Sequence, residues 1–128
     1  MLFITSRQPT RNTEPELNAD FAFDLNNNAS SRGFFCCRRH KKGKYEEIGS
    51  KAMLSEVKNT KYRQVLIYIH GFSNLPETVF ENASEFQDLC NLKKDKEVLV
   101  IPVIWPCDND LGIVKDYWDD QKSADQSA

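Results

Sequence analysis

The sequence lacks the apolar stretches that membrane or export segments require. No apolar run approaches the roughly 20 residues of a membrane-spanning helix, and the opening MLFITSRQPTRN has no basic segment followed by a long apolar one. The net charge of −2 provides no general attraction to nucleic acid or anionic membranes. These absences predict a cytoplasmic protein without membrane or specific nucleic-acid partners. Its 128 residues, 40% of them hydrophobic, suit one domain.

The four cysteines follow no regular spacing. Cys36 and Cys37 are adjacent, whereas Cys90 and Cys107 lie far from them and from each other. This spacing matches neither a C-x-x-C zinc pattern nor the disulfide framework of a small secreted domain. Because no export signal is evident, the pattern predicts reduced thiols in a cytosolic protein.

The chain does contain a regular alternation of helical and strand patterns after residue 49. Apolar periodicity predicts helices over 50–59 and 75–90 and a third from residue 108 onward. Apolar runs between them predict strands at 64–70 and 97–106. The first of these strands has no polar alternation, so we expect it to be buried on both faces.

This order predicts an α/β fold of the partial α/β-hydrolase type, with a mostly parallel sheet flanked by helices. Residues 1–49 are expected to form an irregular N-terminal segment with short strands. Residues 50–128 are expected to supply the helix–strand–helix–strand–helix part of the same, incomplete domain. Pro102 interrupts the second strand and predicts a bulge or a local edge there.

The strand at 64–70 ends in the turn His70-Gly71-Phe72, which has two interpretations. Ligands of α/β sheets bind beyond the carboxyl ends of the strands, and a backbone N–H such as that of Phe72 can stabilise the oxyanion of acyl transfer. Gly71 would then permit a tight backbone and the close approach of a substrate. The simpler interpretation is a glycine that ends a strand beside a hydrogen-bonded histidine.

A wider set of motifs resembles a known family. VLIYIHGFSN, an amphipathic helix, VLVIPVIWP and YWDDQKSA follow one another in this order. They resemble the α/β-hydrolase superfamily, and within it the bacterial branch of uncharacterised serine hydrolases with an H-G-F-N-N turn, an S-W-P strand end and a Y-x-x-D-x-x-S-A helix. The matching residues are His70, Gly71, Phe72, Asn74, Trp105, Pro106, Tyr117, Asp120, Ser123 and Ala124.

The resemblance covers the second half of the chain well and residues 1–50 loosely, where LFITSRQP is similar to the opening A-T-N-R-x-P of that branch. Ser73 stands where the branch has another asparagine, and Ile104 stands where it often has serine. Neither departure removes the backbone N–H of Phe72.

The resemblance implies the N-terminal portion of a serine hydrolase that acts on ester or related acyl bonds without a metal or organic cofactor. The backbone N–H of Phe72, beside Gly71, would form half of the oxyanion hole. His70 would shape the loop and would not act as the base. The residues expected at the substrate pocket are Ser73, Asn74 and Trp105.

The sequence contains no nucleophile to match this turn. Such hydrolases need a G-x-S-x-G elbow after the next strand, but Gly71-Phe72-Ser73-Asn74-Leu75 ends in leucine. The other histidine, His40, lies upstream, which is the wrong chain order for the base. We therefore expect a hydrolase domain that is incomplete and has no triad-dependent activity of its own.

The missing elbow has a second consequence. Without the strand that carries it, the sheet would show unpaired edges, which predicts self-association, a partner chain or poor solubility. A different hypothesis therefore stays open: a non-catalytic, partner-dependent interaction protein derived from a hydrolase scaffold.

The basic stretch CCRRHKKGK suggests two further hypotheses. Cys36, Cys37 and His40 could bind zinc, but adjacent strand residues point to opposite faces and no fourth ligand is evident. The run from Arg38 to Lys44 could contact phosphate or nucleic acid. We favour a solvated loop without a metal.

Overall fold

The computed structural model describes residues 1–10, 15–26 and 29–107. In chain order its elements are β1 (Leu2–Arg7), β2 (Asp20–Phe21), β3 (Ser30–Lys41), β4 (Lys44–Glu47), α1 (Gly49–Asn59), β5 (Gln64–Ile69), α2 (Pro76–Asn91) and β6 (Val98–Ile104). The elements after β4 follow the predicted order as far as residue 107. The third helix, predicted from residue 108 onward, lies outside the described residues.

The six strands of the described residues form one sheet in the order β2-β4-β3-β1-β6-β5. Strands β1, β6 and β5 run parallel to one another, whereas the β1–β3, β3–β4 and β2–β4 pairs are antiparallel. The α/β fold class is confirmed, but the expected mostly parallel sheet is wrong for the N-terminal strands. The connection between β3 and β4 spans only residues 42–43, and such a short hairpin can join only antiparallel strands.

The described part of residues 1–49 contains four strands, where an irregular segment with short strands was expected. The longest, β3, has 12 residues and lies between β1 and β4. In its register, Phe3 lies opposite Cys37, and Cys37 in turn lies opposite Glu47. Its basic end forms a strand because partners on both sides supply the ladder hydrogen bonds.

The two helices of the described residues lie on opposite faces of the sheet. Arg38 and Arg39 are successive residues of β3, so their side chains point to opposite faces. Arg38 pairs with Glu56 of α1, whereas Arg39 pairs with Glu77 of α2. Neither helix is long and apolar enough to cross a membrane.

Aromatic side chains dominate the core between the sheet and α2. Phe3 makes edge-to-face contacts with Phe23, Tyr45 and Phe80, with ring centroids 6.3, 5.7 and 5.0 Å away. Each such pair contributes about 0.5–1.5 kcal/mol beyond the burial of apolar area. The same cluster also contains Cys37, Val79 and Ile104.

The ends of α2 are fixed by two residues. Pro76 begins the helix in its first turn, where the absence of an N–H is tolerated. Asn91 ends it, and its side-chain oxygen accepts the backbone N–H of Val98 at 3.0 Å. This bond ties the end of α2 to the start of β6.

Strand β5 lies at the edge of the sheet, with β6 as its neighbour in the described structure. Val65, Ile67 and Ile69 are 42%, 49% and 68% exposed, so the expected burial on both faces is wrong. A continuous apolar run is typical of a central strand, but here one edge and one face of β5 lack cover among the described residues. Phe86 and Leu89 of α2 are exposed as well.

Strand β6 lies between β1 and β5. Its register with β5 includes Pro102 opposite Tyr68, whereas its register with β1 covers only Val103 and Ile104. At Pro102 the strand therefore has a paired neighbour on one side only. This matches the expected local edge and explains how the sheet accommodates a residue without an N–H.

Candidate functional site

The parallel strands β1, β6 and β5 end at the same edge of the sheet, and the predicted turn lies at this edge. β5 passes directly into residues 70–74, and β6 passes into residues 105–107. Because Ile69 lies opposite Val103 in the last pair of the ladder, the two segments leave the sheet side by side. The carboxyl ends of parallel strands are where α/β proteins bind ligands.

His70 is 4% exposed and is held by Trp105 in three ways. The backbone N–H of Trp105 donates to His70 Nε2 at 3.3 Å, and the indole N–H donates to the His70 carbonyl oxygen at 3.0 Å. The two rings stack with centroids 5.5 Å apart and planes inclined by 13°. Since Nε2 accepts a hydrogen bond, the ring proton lies on Nδ1, which donates to the Gly71 carbonyl at 3.0 Å.

This environment favours the neutral ring. Burial lowers the pKa of His70, and the charge of Arg7 lowers it further, while the hydrogen bond to Gly71 acts in the opposite direction. Both ring nitrogens already bond to the protein, so no lone pair is available to abstract a proton from a nucleophile. The geometry suits a histidine that shapes a loop better than one that acts as a base.

Cys107 makes a further contact with the turn. Its sulfur lies 3.4 Å from His70 Nδ1, and 3.6 and 3.3 Å from the carbonyl oxygens of Gly71 and Asn74. The side chain is fully buried. Sequence reasoning missed this contact, because a single cysteine two residues after Trp105 belongs to no motif.

Asn74 and Ser73 shape the turn itself. Asn74 Nδ2 donates to the carbonyl oxygens of Gly71 and Phe72 at 3.2 and 2.8 Å. Ser73 has a φ of 55°, a left-handed conformation that costs a residue other than glycine about 1–3 kcal/mol. Phe72 is 44% exposed. The turn is therefore compact, fixed by its own side chains and open to solvent at Phe72.

Gly71 is not required by the conformation of the chain. The described glycines with positive φ are Gly43 and Gly49, and Gly71 is not one of them. A Cβ atom added at Gly71 would meet no atom within 4 Å. The structure therefore shows no local need for glycine at this position, and it shows open space beside this Cα atom.

The described residues do not bring a serine together with a histidine base. The ring nitrogens of His70 contact Gly71, Trp105 and Cys107, and Nε2 of His40 lies 2.9 Å from a carboxylate oxygen of Glu46. The remaining positions of the family motif, 117–124, lie outside the described residues. In the described part of the chain, the candidate site therefore consists of the turn and the side chains that support it.

Glu77 forms a cluster that sequence reasoning missed, because only its place in the first helical turn was considered. Its carboxylate accepts hydrogen bonds from Arg39 Nη2 at 2.6 Å, from the Gly43 N–H at 3.1 Å and from the Tyr45 hydroxyl. Burial would raise the pKa of Glu77, but the three donors together lower it. The cluster ties the β3–β4 hairpin to the start of α2, directly behind the turn.

The basic stretch at 38–44 is largely paired with carboxylates. Residues with compensated charge release few counterions on contact with nucleic acid. Among the described residues, no group of three side chains could hold a metal ion. The pairs are Arg38 with Glu46 and Glu56, Arg39 with Glu77, His40 with Glu46, and Lys44 with Asp20.

A family comparison agrees with this architecture. The sequence model of a family described as "alpha/beta hydrolase of unknown function (DUF900)" matches residues 46–128, well over half of the chain. The match includes α1, β5, the turn after it, α2 and β6. Searches among curated proteins and among solved structures gave no match. The family's description assigns no reaction, but the match and the fold agree on the scaffold: the chain belongs to this family of α/β hydrolases.

Proposed function

We propose that this chain carries the oxyanion-binding side of an acyl-hydrolase active site, with the backbone N–H of Phe72 as a donor. The observation that carries the proposal is the turn at the ends of β5 and β6, where a buried, neutral His70 is bonded through both ring nitrogens. A turn fixed in this way needs no reorganisation when charge develops on a substrate oxygen. The hydrolase scaffold supports an ester or related acyl bond as the substrate.

In the proposed reaction, a serine hydroxyl attacks the substrate carbonyl carbon and loses its proton to a histidine base, which leaves a tetrahedral oxyanion. Phe72 donates one of the two hydrogen bonds that this oxyanion needs. The serine and the base would come from another segment or a partner chain, because these 128 residues contain no G-x-S-x-G and His70 is engaged. Neither a metal nor an organic cofactor takes part.

The open space beside Gly71 supports this location for the substrate. A carbonyl group that approaches the backbone there would lie close to the N–H of the next residue, Phe72. Ser73 and Asn74 would border the acyl group on the exposed side of the turn, and Trp105 would border it on the side of β6. The pocket residues thus come from the two segments that leave the sheet together.

The donor can be tested by removing a single hydrogen atom from the backbone. Phe72→Pro removes the N–H, whereas the control variant Phe72→Leu keeps it and changes only the side chain. In the native gene product, with p-nitrophenyl butyrate as substrate, Phe72→Pro should lower kcat about 10²–10³-fold. Phe72→Leu should retain most of the activity. Equal losses in the two variants would contradict the assigned donor.

The space beside Gly71 can be tested separately. Gly33 is the matched control, because it also lacks a positive φ and a Cβ there would also meet no atom within 4 Å. Gly71→Ala should leave stability unchanged or raise it by about 0.4–1 kcal/mol. It should lower kcat/KM by roughly 10–100-fold, since misplacing a substrate by about 1 Å has this effect. Gly33→Ala should leave kcat/KM unchanged.

A second candidate function is supported by the exposed edge of β5. A non-catalytic protein could retain the scaffold and use this edge to bind a partner chain. A serine-directed fluorophosphonate probe separates the two candidates in the native product. Stoichiometric labelling of one serine, together with ester hydrolysis, supports the hydrolase. A folded native product that shows neither labelling nor ester hydrolysis supports the interaction protein. Stoichiometric labelling of the 128-residue chain alone would refute a nucleophile from outside this chain.

A further inference from the structure

The backbone ladder between β5 and β6 stops just before the proposed oxyanion turn. Its last pair is Ile69 with Val103, and β5 has no described neighbour on its other side. The backbone of His70 and of the residues after it is therefore not positioned by strand pairing. Side-chain contacts must supply the rigidity that the turn needs beyond this point.

Trp105 supplies the contacts that hold His70, while Asn74 and Cys107 contact the residues after it. It donates two hydrogen bonds to His70, one to the ring and one to the backbone carbonyl, and its indole ring covers one face of the imidazole. The bond to the carbonyl fixes the peptide plane between His70 and Gly71. The bond to Nε2 fixes the tautomer, so that Nδ1–H points to the Gly71 carbonyl. The indole thus holds the peptide unit between His70 and Gly71. The next unit, which contains the Phe72 N–H, is held by the His70 ring in the tautomer that the Trp105 backbone N–H sets.

We propose that Trp105 is a positioning residue, which acts through His70 to fix the direction of the Phe72 N–H. This role is more than that of a residue that borders a pocket. It rests on the proposed function in one respect, namely that the turn after β5 binds the oxyanion. Removing the indole donor should loosen the turn even if the fold is intact. A tryptophan that served only as core packing would be replaceable by phenylalanine without that effect.

The groups around His70 determine how the contact responds to acid. The charged group that acts on its ring is Arg7 of β1, and the titratable group in contact is the Cys107 thiol beside Nδ1. The positive charge of Arg7 disfavours the charged form of the ring. Protonation of Nε2 would replace an acceptor by a donor facing the Trp105 N–H. The interaction between the two residues therefore requires the neutral ring.

The test uses nuclear magnetic resonance on the 128-residue chain, and it does not depend on activity. The chain has only two histidines, so His40, which is exposed, serves as an internal reference for His70. Trp105→Phe removes the indole N–H and keeps an aromatic ring, and Trp105→Ala removes both. Phe86→Leu is the control, since it changes an exposed aromatic residue of α2. The readouts are the titration of both imidazole rings and the order parameter of the Phe72 N–H from nitrogen-15 relaxation.

In Trp105→Phe, the order parameter of the Phe72 N–H should fall from about 0.85, the value of rigid backbone, toward about 0.6. In Trp105→Ala, the pKa of His70 should rise toward its ordinary value, because burial is the main cause of its depression. Phe86→Leu should change neither quantity. An unchanged order parameter and an unchanged His70 titration in both Trp105 variants would overturn the proposal.

Activity of the native product distinguishes a failure of this inference from a failure of the proposed function. If Trp105 positions an oxyanion donor, Trp105→Phe should lower kcat and leave KM nearly unchanged. If the resonance experiment gives the expected changes but the native product hydrolyses no ester and binds no serine-directed probe, the positioning of the turn holds and its role in acyl transfer is refuted.

Discussion

The carboxylate of Glu77 is the most informative site at which to perturb the stability of the fold. It receives hydrogen bonds from Arg39, Gly43 and Tyr45, and so it holds the β3–β4 hairpin against the first turn of α2. In Glu77→Ala, the Arg39 guanidinium would remain over the ring of Phe80, 5.1 Å from its centroid, without a counter-charge. The Tyr45 hydroxyl would lose its acceptor inside a largely apolar cluster.

The expected magnitude follows from these contacts. A hydrogen bond to a charged group contributes about 1.5–3 kcal/mol, and bonds that share one carboxylate are not additive. The side chains of Arg39 and Glu77 are 24% and 19% exposed, so water can replace part of the hydrogen bonding that the substitution removes. We therefore expect Glu77→Ala to lower the free energy of unfolding by about 2–4 kcal/mol.

The assay is urea unfolding followed by circular dichroism, with Glu81→Ala as the matched control. Glu81 is an exposed glutamate of the same helix, one turn further along. Its substitution should change stability by no more than about 0.5 kcal/mol. Glu77→Gln separates the acceptor role from the charge, because its amide keeps one oxygen that can accept a hydrogen bond. Its loss of stability should fall between the losses in Glu77→Ala and Glu81→Ala.

The pH dependence provides the sharper criterion. The three donors lower the pKa of Glu77 below its ordinary value of 4.5. A carboxyl group with a lowered pKa in the folded state stabilises it fully above the ordinary pKa, and this contribution disappears as the pH falls through the lowered one. The stability difference between the native sequence and Glu77→Gln should therefore be constant near neutrality and shrink below pH 4.5. A difference that grew in acid, or a Glu77→Ala loss equal to that of Glu81→Ala, would refute the reasoning.

Three other substitutions test separate features of the fold. Ile67→Lys places a charge on the exposed face of edge strand β5 and should reduce self-association in sedimentation equilibrium. Leu54→Lys, on the exposed face of α1, should not reduce it. Equal effects of the two substitutions would argue against association through β5. Phe80→Ala should cost about 3–5 kcal/mol in urea unfolding because this ring is buried, and Phe86→Ala, at an exposed position, should cost much less. Gly49→Ala should destabilise the fold by more than about 1 kcal/mol, because φ is 76° and the added Cβ would lie 2.9 Å from the Leu17 side chain. An unchanged midpoint of unfolding in this variant would contradict that geometry.

The elements that could be predicted from the sequence are those whose pattern is local. The helical periodicity of 75–90 and the apolar runs at 64–70 and 97–106 were sufficient to locate α2, β5 and β6 to within two residues. The burial of β5 could not be predicted, because an apolar run does not reveal whether a neighbouring strand is present. The result is an edge strand with exposed Ile67 and Ile69.

Long-range pairing explains what the sequence did not predict. The basic end of β3 has no apolar pattern, and it becomes a strand because β1 and β4 pair with its two edges. The Glu77 cluster likewise joins residues more than 30 positions apart. Such contacts leave no local pattern in the sequence. The glycine after His70 can be seen in the sequence, but the open space beside it cannot.

The position of the turn after β5 could be predicted, but not the contacts that support it. His70 and Phe72 follow a strand in a motif of moderate specificity, so the turn lies where the motif predicts it. The contacts that fix it come from Trp105 and Cys107, which lie more than 30 residues away. Neither the stacking of the two rings nor the tautomer of His70 can be inferred from residue spacing.

The position of β1 between β3 and β6 has a consequence for the order of events during synthesis. Thr5 donates a hydrogen bond to the carbonyl of Ile104, a residue 99 positions later. At roughly 5–20 residues per second, the ribosome needs about 5–20 s to make that partner. During this interval β1 can pair with β3 and complete the antiparallel part of the sheet, but its other edge has no strand to join. The nascent chain therefore carries an open edge on each half of the future sheet until β6 emerges and joins them.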